Sequence, residues 1–135
     1  MAFTGNYTCN SFKSGLIDGD FDFDTDTFKI ALYTNSASLN AETAAYTTSG
    51  EVVGSGYTAG GNTLTVSKGI TGGTAFITFT DTSWSAAITA RGALIYKDSG
   101  AAVCVLDFGS DKTSTTTFSV DFPAASSTDA LIRLS

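Results

Sequence analysis

Phe28-Lys-Ile-Ala-Leu-Tyr33 and Thr74-Ala-Phe-Ile-Thr-Phe-Thr80 are the two stretches that decide the fold class of this chain. In the first stretch Phe28, Ile30 and Leu32 occupy every second position, and the second stretch alternates in a similar way. A period of two is typical of β-strands, because successive side chains point to opposite faces of a sheet. We therefore predict a strand at each place.

A β-hairpin is predicted in the second half of the chain. Ile88 to Tyr96 and Ala101 to Phe108 are both rich in apolar and β-branched residues, and Lys97-Asp-Ser-Gly100 joins them. The polar residues and the glycine of that connection suit a tight turn between antiparallel strands. Further strands are predicted at Asp20 to Asp24, Glu51 to Val53, Asn62 to Ser67, Thr115 to Phe122 and Leu131 to Leu134.

Residues 38–46 are the one segment in which we predict a helix. Ser38 or Asn40 is a suitable N-cap, and the alanines that follow favour helical backbone. About eight or nine short strands with connections rich in glycine, serine and threonine predict an all-β fold. The expected architecture is an antiparallel β-sandwich or jelly roll with at most one short helix.

The domain organisation follows from the length of 135 residues, which is the size of one compact domain. No internal repeat or shift in composition divides the chain. Residues 1–15 show weaker periodicity, and we predict a possible N-terminal arm there that packs on a neighbour. Residues 16–135 are predicted to form a single β-sandwich domain.

The composition excludes several classes of enzyme. The chain has no histidine, so it contains neither a Ser-His-Asp triad nor an imidazole metal site. It has 22 threonines, 16 serines and 14 glycines, and only 15% of its residues are charged. We therefore predict a structural or binding protein that is not an enzyme and needs no cofactor.

The net charge of −6 and the shortness of the apolar runs argue against two classes of partner. Thirteen acids stand against seven bases, and the bases form no cluster that could bind phosphate groups. The longest apolar run, Ala101 to Leu106, is too short to span a bilayer. We therefore expect no nucleic acid and no membrane as partner, and the N-terminus shows no signal-peptide pattern.

A row of alternating aspartates is the most conspicuous motif, with five of the thirteen acids in nine residues. If this segment is extended, the aspartates share one face while Phe21 and Phe23 share the other. Three interpretations stay open: a solvated sheet edge, a contact for a basic partner, or a weak cation site. The residues in question are Asp18, Asp20, Asp22, Asp24 and Asp26.

Gly54-Ser-Gly56-Tyr-Thr-Ala59 matches the G-x-G-x-x-A pattern of dinucleotide-binding proteins. That pattern requires a helix to begin within it, whereas Gly60-Gly61-Asn62 leads here into a predicted strand. We interpret the motif as a glycine-rich turn that is available as a contact loop.

Four further residues have simple structural interpretations. Cys9 and Cys104 have no metal-ligand spacing, and we predict two free thiols with Cys104 buried in a strand. Arg91 lies in an otherwise apolar strand, and we expect it to pair with a carboxylate such as Asp107. The single tryptophan, Trp84, is expected in the core.

Several stretches of the chain together resemble a family of small virion-associated proteins of tailed bacteriophages. They are Asp26-Thr-Phe-Lys-Ile-Ala-Leu-Tyr-Thr-Asn-Ser-Ala-Ser-Leu39, Gly50-Glu-Val-Val-Gly-Ser-Gly-Tyr-Thr-Ala-Gly-Gly-Asn-Thr-Leu64, Ser83-Trp-Ser with Ala90-Arg-Gly-Ala-Leu-Ile-Tyr96, and Leu106-Asp-Phe-Gly-Ser-Asp-Lys112. The resemblance covers about residues 16–134. It implies a capsid decoration (cement) protein with a β-rich body on the outer face of the icosahedral shell, assembled in the bacterial cytoplasm.

The expected partners are the major capsid protein and further copies of this chain in a dimer or trimer. The contacts would come from the arm, the acidic row and the glycine-rich loop. The residues predicted for these contacts are Phe3, Tyr7, Phe12, Asp22, Asp24, Gly56, Tyr57, Gly60 and Asn62. An alternative is a receptor- or glycan-binding module of a tail fibre or spike, with Trp84 and the tyrosines as stacking platforms.

Overall fold

The computed structural model describes residues 3–135, and this part of the chain is mostly β-structure. It contains one helix, α1 (Asn10–Asp18), and ten strands. The strands are β1 (Tyr7–Thr8), β2 (Phe28–Tyr33), β3 (Asn62–Leu64), β4 (Val66–Thr71), β5 (Thr74–Phe79), β6 (Thr82–Trp84), β7 (Thr89–Lys97), β8 (Ala102–Thr113), β9 (Phe118–Val120) and β10 (Ile132–Leu134). The predicted all-β class with at most one short helix is confirmed.

The strands form antiparallel sheets in a sandwich-like arrangement, as predicted. The largest sheet has five strands in the order β1-β8-β7-β2-β3. A second sheet has the order β10-β5-β4, and β6 and β9 form a two-stranded ribbon. At nine residues, α1 is too short to cross a membrane, and no other helix occurs within residues 3–135.

The main core lies against one face of the five-stranded sheet. Phe28, Ile30 and Leu32 of β2 are fully buried on that face, as their alternation predicts. Phe79 of β5 and Trp84 of β6 pack in the same cluster. Full burial of one such large apolar side chain stabilises a fold by roughly 1.5–3 kcal/mol.

A second core lies on the opposite face of the same sheet. Ala31 and Tyr33 of β2 point there and are also fully buried. Loop and N-terminal residues such as Phe3 and Leu39 cover this face, in place of a further sheet. β2 is therefore a central strand that is buried on both sides, which explains its nearly continuous apolar sequence.

The predicted hairpin between β7 and β8 is confirmed. The Gly100 N–H donates to the Lys97 carbonyl at 2.6 Å, and the Lys97 N–H donates to the Ala101 carbonyl at 2.8 Å. At the ends of β7 and β8 that lie away from this turn, the two segments bend and then pair again as β6 and β9. The Ser114 hydroxyl joins the two strands at the bend, because it donates to the Ala86 carbonyl at 2.8 Å and accepts the Ile88 N–H at 3.1 Å.

The helix predicted at residues 38–46 is wrong, because side chains and backbone there find other partners. The Asn40 side chain accepts the Glu42 N–H at 2.8 Å and so closes a local turn. Farther along, the Ala44 carbonyl accepts the Ala102 N–H at 3.0 Å, and the Tyr46 N–H donates to Gly100 at 2.8 Å. This segment is therefore irregular and is held against the β7–β8 hairpin.

The helix lies instead at α1, which begins within the segment predicted as an arm (residues 1–15) and ends three residues beyond it. Gly19 ends it in a left-handed conformation, with φ of 81° and its neighbour's N–H bonded to Gly15. The buried side of α1 presents Phe12 and Gly15, and Gly15 lies directly beneath the Phe21 ring. A glycine in mid-helix disfavours helical backbone, so tertiary packing decides the structure here.

Two of the weaker strand predictions are also wrong. Asp20 to Asp24 forms a turn after α1, and Glu51 to Val53 contributes one isolated bridge, between Tyr33 and Glu51. The predicted strand at Asn62 to Ser67 is divided into β3 and β4. At the first two places the Asp22 and Glu51 side chains accept backbone N–H groups and so compete with the ladder that the alternation suggests.

Candidate functional site

The acidic row folds into a turn that is held by its own carboxylates. The Asp22 side chain accepts the Asp24 N–H at 2.8 Å, and the Asp26 side chain accepts the Asp22 N–H at 2.8 Å. The bond from the Asp24 N–H, followed by that from the Thr25 hydroxyl, holds the pKa of Asp22 below its ordinary value. The aspartates therefore do not line one face of a strand.

Lysines form ion pairs with two of these carboxylates. Lys68 of β4 lies 2.6 Å from Asp24, and Lys97 of β7 lies 3.4 Å from Asp26. Within residues 3–135, no three histidine, cysteine, aspartate or glutamate side chains converge to hold a metal ion. The structure thus places Asp22, Asp24 and Asp26 in a turn and in surface ion pairs. The side chains of Asp18 and Asp20 form no hydrogen bond or salt bridge within residues 3–135.

The N-terminal residues that were expected to meet a partner pack on their own domain. Phe3 and Phe12 are buried, and Tyr7 pairs with Val105 as part of β1. The rings of Phe3 and Phe12 are therefore not part of the exposed surface. The predicted ion pair of Arg91 and Asp107 is also confirmed, with 3.0 Å between Arg91 Nε and Asp107 Oδ1.

The Arg91–Asp107 ion pair also contacts the N-terminal segment, residues 3–9. The Arg91 guanidinium lies 5.9 Å from the centre of the Phe3 ring, and Asn6 accepts the Asp107 N–H at 2.6 Å. The Gly109 N–H and Arg91 both hold the pKa of Asp107 below its usual range. These contacts thus hold residues 3–9 against the five-stranded sheet.

The glycine-rich loop has a buried side and an exposed side. Tyr57 and Gly60 are buried, whereas Gly56 is exposed with φ of 89°. The Asn62 amide is half-buried and donates to the Thr82 hydroxyl at 2.9 Å. Of the four loop residues predicted as contacts, only Gly56 is exposed, and the other three are wholly or partly occupied within the chain.

Beneath this loop lies a cluster that we call the Glu51 clamp, formed by Glu51, Tyr46, Tyr57 and Gly60. The Glu51 side chain is 6% exposed and accepts three hydrogen bonds. The donors are the Tyr46 hydroxyl at 2.5 Å, the Tyr57 hydroxyl at 2.6 Å and the Gly60 N–H at 2.8 Å. No lysine or arginine of residues 3–135 forms a salt bridge with Glu51, so these donors alone stabilise the buried carboxylate.

Burial in and around the Glu51 clamp raises the pKa of four tyrosines. Burial, followed by the hydrogen bond to Glu51, raises the pKa of Tyr46 and Tyr57 well above the ordinary value. Burial also raises the pKa of Tyr33, and it raises that of Tyr96 to about 12. All four hydroxyls are therefore neutral donors at physiological pH.

The clamp fixes a short exposed turn, which we call the Val53 turn (residues 53–56). Before it, the Val52 N–H donates to the Leu32 carbonyl at 2.9 Å. After it, the Tyr57 hydroxyl accepts the Leu32 N–H at 2.9 Å. Between these anchors the Val53 side chain is 94% exposed. Val53 is thus almost fully exposed on an uncharged turn whose two ends are hydrogen-bonded to Leu32.

The sequence contains one signal that points to the clamp. Glu51 is the only charged residue between Glu42 and Lys68, and tyrosines lie on either side of it at positions 46 and 57. No other charged residue lies near Glu51 in the sequence, so Glu51 is not part of a charged, solvent-exposed segment. Its burial depends on which tyrosines the fold brings together, however, and alternation along the chain does not reveal that.

A second exposed feature is the end of the three-stranded sheet. Ile70 of β4 and Leu134 of β10 both lie opposite Ala75 of β5, so the three side chains share one face. Ile70 is 73% exposed and Leu134 is 49% exposed. We call Ile70, Ala75 and Leu134 the apolar row.

Two open clefts within residues 3–135 have charged side chains in their linings. One, of about 440 Å³, has Phe108 and Phe118 on its walls with Lys112 and Asp121 also lining it. The other, of about 600 Å³, lies between the acidic turn and β3–β4 and includes the Asp24–Lys68 pair.

The tryptophan and the cysteines are where the sequence predicts them. Trp84 is buried between Tyr57 and Phe118, and its indole N–H has no hydrogen-bond partner. Cys9 and Cys104 are free and buried, and burial raises the pKa of Cys9 to about 11 and that of Cys104 further. None of the three presents a reactive or stacking group to solvent.

Comparison of the chain with protein-family models, curated proteins and solved structures finds no match. Its function must therefore be inferred from its own residues and their arrangement.

Proposed function

We propose that this chain is a bacteriophage capsid decoration protein that binds the outer face of the shell and bridges neighbouring copies of the major capsid protein. The proposal starts from the sequence resemblance and is supported by the all-β, sandwich-like fold. A decoration protein acts by adhesion, so it needs a stable body and exposed contact elements rather than reactive groups.

The observation that carries the proposal is the Val53 turn. A protruding apolar side chain contributes to binding in proportion to the area that it buries, provided that it is already held in its bound conformation. The Glu51 clamp provides that restraint from both ends of the turn. We propose that Val53 enters a shallow apolar socket on the shell.

Symmetry explains how so small a contact is sufficient. One valine contributes little, but a shell repeats the same socket many times, and a protein that bridges two subunits gains from both. Binding to the assembled shell alone stabilises that shell by mass action. The uncharged surroundings of Val53 also avoid the cost of desolvating ions at the contact.

The tail-fibre alternative depends on an exposed aromatic platform. Trp84, Tyr33, Tyr57 and Tyr96 are buried, so these four rings are not available to stack on a sugar. Tyr7 and Tyr46 are partly exposed, and the Tyr46 ring stacks on that of Tyr96. No specific observation favours the alternative over attachment to the capsid.

Electron microscopy of intact virions tests the proposal. We expect hundreds of copies on the shell, with the Val53 turn facing the capsid subunits. On heating, virions that lack the protein should lose their shells at a lower temperature than virions that carry it. A small number of copies at the tail would contradict it, as would unchanged shell stability in virions without the protein.

A variant test addresses the carrying observation directly. Val53→Asp places a charge on the contact and should lower the occupancy of the shell at least tenfold, because a buried charge without a partner is costly. Ala87→Asp is the matched control, since it also puts an acid in place of an exposed apolar residue. Equal occupancy for the two variants would overturn the role of Val53.

A further inference from the structure

We propose that the cleft between the acidic turn (residues 18–26) and β3–β4 binds a neutral sugar ring. The inference rests on the lining of this cleft, so it does not require the proposed attachment to capsids, and a sugar site does not distinguish the shell from the tail. Its evidence is an apolar floor that contains an aromatic ring, a polar rim with unused hydrogen-bonding groups, and charges that cancel.

The floor of the cleft is apolar and is held in place by the main core. Phe23, Leu64 and Val66 line the cleft, and all three pack against that core. The Phe23 ring stacks on the fully buried Phe28 ring, with 4.5 Å between the ring centres, and the Phe12 ring lies nearly perpendicular to it at 5.9 Å. Because Phe23 is only half-buried, part of a well-positioned aromatic ring is open to the cleft.

The rim of the cleft is polar, and its groups have hydrogen-bonding capacity to spare. Lys68 Nζ lies 2.6 Å from Asp24 Oδ1 and has no other polar partner within residues 3–135. An ammonium group has three donors and a carboxylate has two oxygens, so both members of the pair can bind a ligand as well. The Thr27 hydroxyl also lines the cleft and forms no hydrogen bond within the described part of the chain.

The charges around the cleft cancel, which favours a neutral ligand. Asp24 is paired with Lys68, and Asp26 Oδ2 lies 3.4 Å from Lys97 Nζ. A cation or an anion bound here would have to break one of these pairs or stay without a counter-charge. A neutral ligand can bind while both pairs remain intact.

A sugar ring has the chemistry that this lining matches. A pyranose presents C–H groups on its faces and hydroxyls around its edge, and each hydroxyl both donates and accepts. The C–H groups pack against an aromatic ring, while the hydroxyls bind the ammonium, carboxylate and hydroxyl groups of the rim. The cleft volume of about 600 Å³ lies within the range of roughly 300–1,000 Å³ found for small-molecule sites.

Saturation-transfer difference NMR of the full chain tests the proposal, with glucose, galactose, mannose and N-acetylglucosamine as the probes. We expect at least one of these sugars to bind with a dissociation constant in the millimolar range, and its ring C–H protons to receive the strongest saturation from Phe23. Because the ligand is neutral, its affinity should stay the same between low and high sodium chloride. A chain that transfers no saturation to any of the four sugars would overturn the proposal.

Substitutions at the rim show whether this cleft holds the sugar. Lys68→Met and Asp24→Ala each remove hydrogen bonds to a charged group and should raise the dissociation constant at least tenfold. Lys112→Met and Asp121→Ala are the matched controls, because they make the same changes in the lining of the other cleft. All four residues are exposed, so the melting temperatures of the variants should stay close to that of the unaltered chain. Equal affinities for the two pairs of variants would contradict the assignment.

Amide chemical shifts locate the ligand and separate it from a cation. The bound sugar should shift the resonances of residues 23–27 and 64–68. Shifts confined to residues 108–121, or shifts of residues 23–27 that calcium chloride causes while no sugar binds, would overturn the proposal. Virions that are decorated normally by a protein that binds none of the sugars would overturn this inference and leave the proposed function intact, and sugar binding by a protein absent from the shell would do the reverse.

Discussion

The acidic turn at residues 18–26 and the Glu51 clamp use carboxylates in opposite ways. The first holds five acids, exposes most of them and engages them in local turns and surface lysine pairs. The second holds one acid, buries it and surrounds it with three donors that lie within nine residues of it in the sequence. The number of acids in a segment thus says little about how much each contributes to the fold, because burial determines the cost of losing it.

Removing the clamp's carboxylate should have the largest effect. Glu51→Ala leaves the Tyr46 and Tyr57 hydroxyls and the Gly60 N–H without an acceptor, and we expect a loss of about 3–5 kcal/mol in the free energy of unfolding. Urea denaturation measures it. Glu51→Gln keeps one carbonyl acceptor and should lose less than half as much, whereas equal losses would show that the hydrogen bonds are not the cause.

The backbone path beside the clamp should be almost as sensitive. A Cβ on Gly61 would lie 1.8 Å from the Ile30 carbonyl oxygen, and the residue has φ of 77°. We expect Gly61→Ala to cost about 3 kcal/mol or more, since the loop must leave the sheet to relieve the clash. Gly72→Ala is the control for the positive φ alone, because no atom lies within 4 Å of its added Cβ. Similar losses for both variants would contradict the role of the close approach.

Alkaline pH should weaken the clamp without any substitution. In the unfolded chain tyrosines ionise near pH 10, whereas burial raises the folded pKa of Tyr96 to about 12 and those of Tyr46 and Tyr57 further. The unfolded chain therefore releases its tyrosine protons first, so the contribution of these tyrosines to stability is complete below about pH 10 and falls as pH rises toward the folded values.

Urea midpoints at increasing pH, together with the ultraviolet absorbance of tyrosinate, measure this effect. Tyr57→Phe removes one of the titrating groups and should flatten the alkaline loss, at the cost of a lower stability at neutral pH. A midpoint that stays constant well above pH 10 would contradict the prediction.

The acidic turn should show the smallest effect. Asp24→Ala removes the pair with Lys68, and both side chains of that pair are substantially exposed. We expect a change of less than about 1 kcal/mol in the free energy of unfolding, because solvent and salt screen such pairs. A loss as large as that of Glu51→Ala would remove the contrast between the two regions.

The strands were the predictable part of this fold. β2, β5 and the β7–β8 hairpin follow from alternation and turn chemistry, because each has apolar residues at every second position or a glycine-containing connection. The exchange of helical and irregular structure between residues 10–18 and 38–46 was not predictable in this way. Phe12 and Gly15 become helical through contact with Phe21, which no local pattern contains.

The candidate surfaces divide along the same line. The predicted contacts Phe3, Phe12, Tyr57 and Gly60 are apolar or small residues that the fold uses for its own packing. The exposed residues Val53, Ile70 and Ile17 were not singled out, because alternation marks them as interior or neutral. Their exposure depends on where the strands and the helix end relative to the body, which is a property of the tertiary structure.

The buried indole of Trp84 gives this molecule an internal optical probe. It is the only tryptophan of the chain, and its ring lies 6.0 Å from that of Tyr57 in the clamp and 6.3 Å from that of Phe118 in the β6–β9 ribbon. An indole without a hydrogen-bond partner in apolar surroundings emits at shorter wavelength than one in water. Its emission will therefore report both the release of the clamp and the detachment of the ribbon, without any added label.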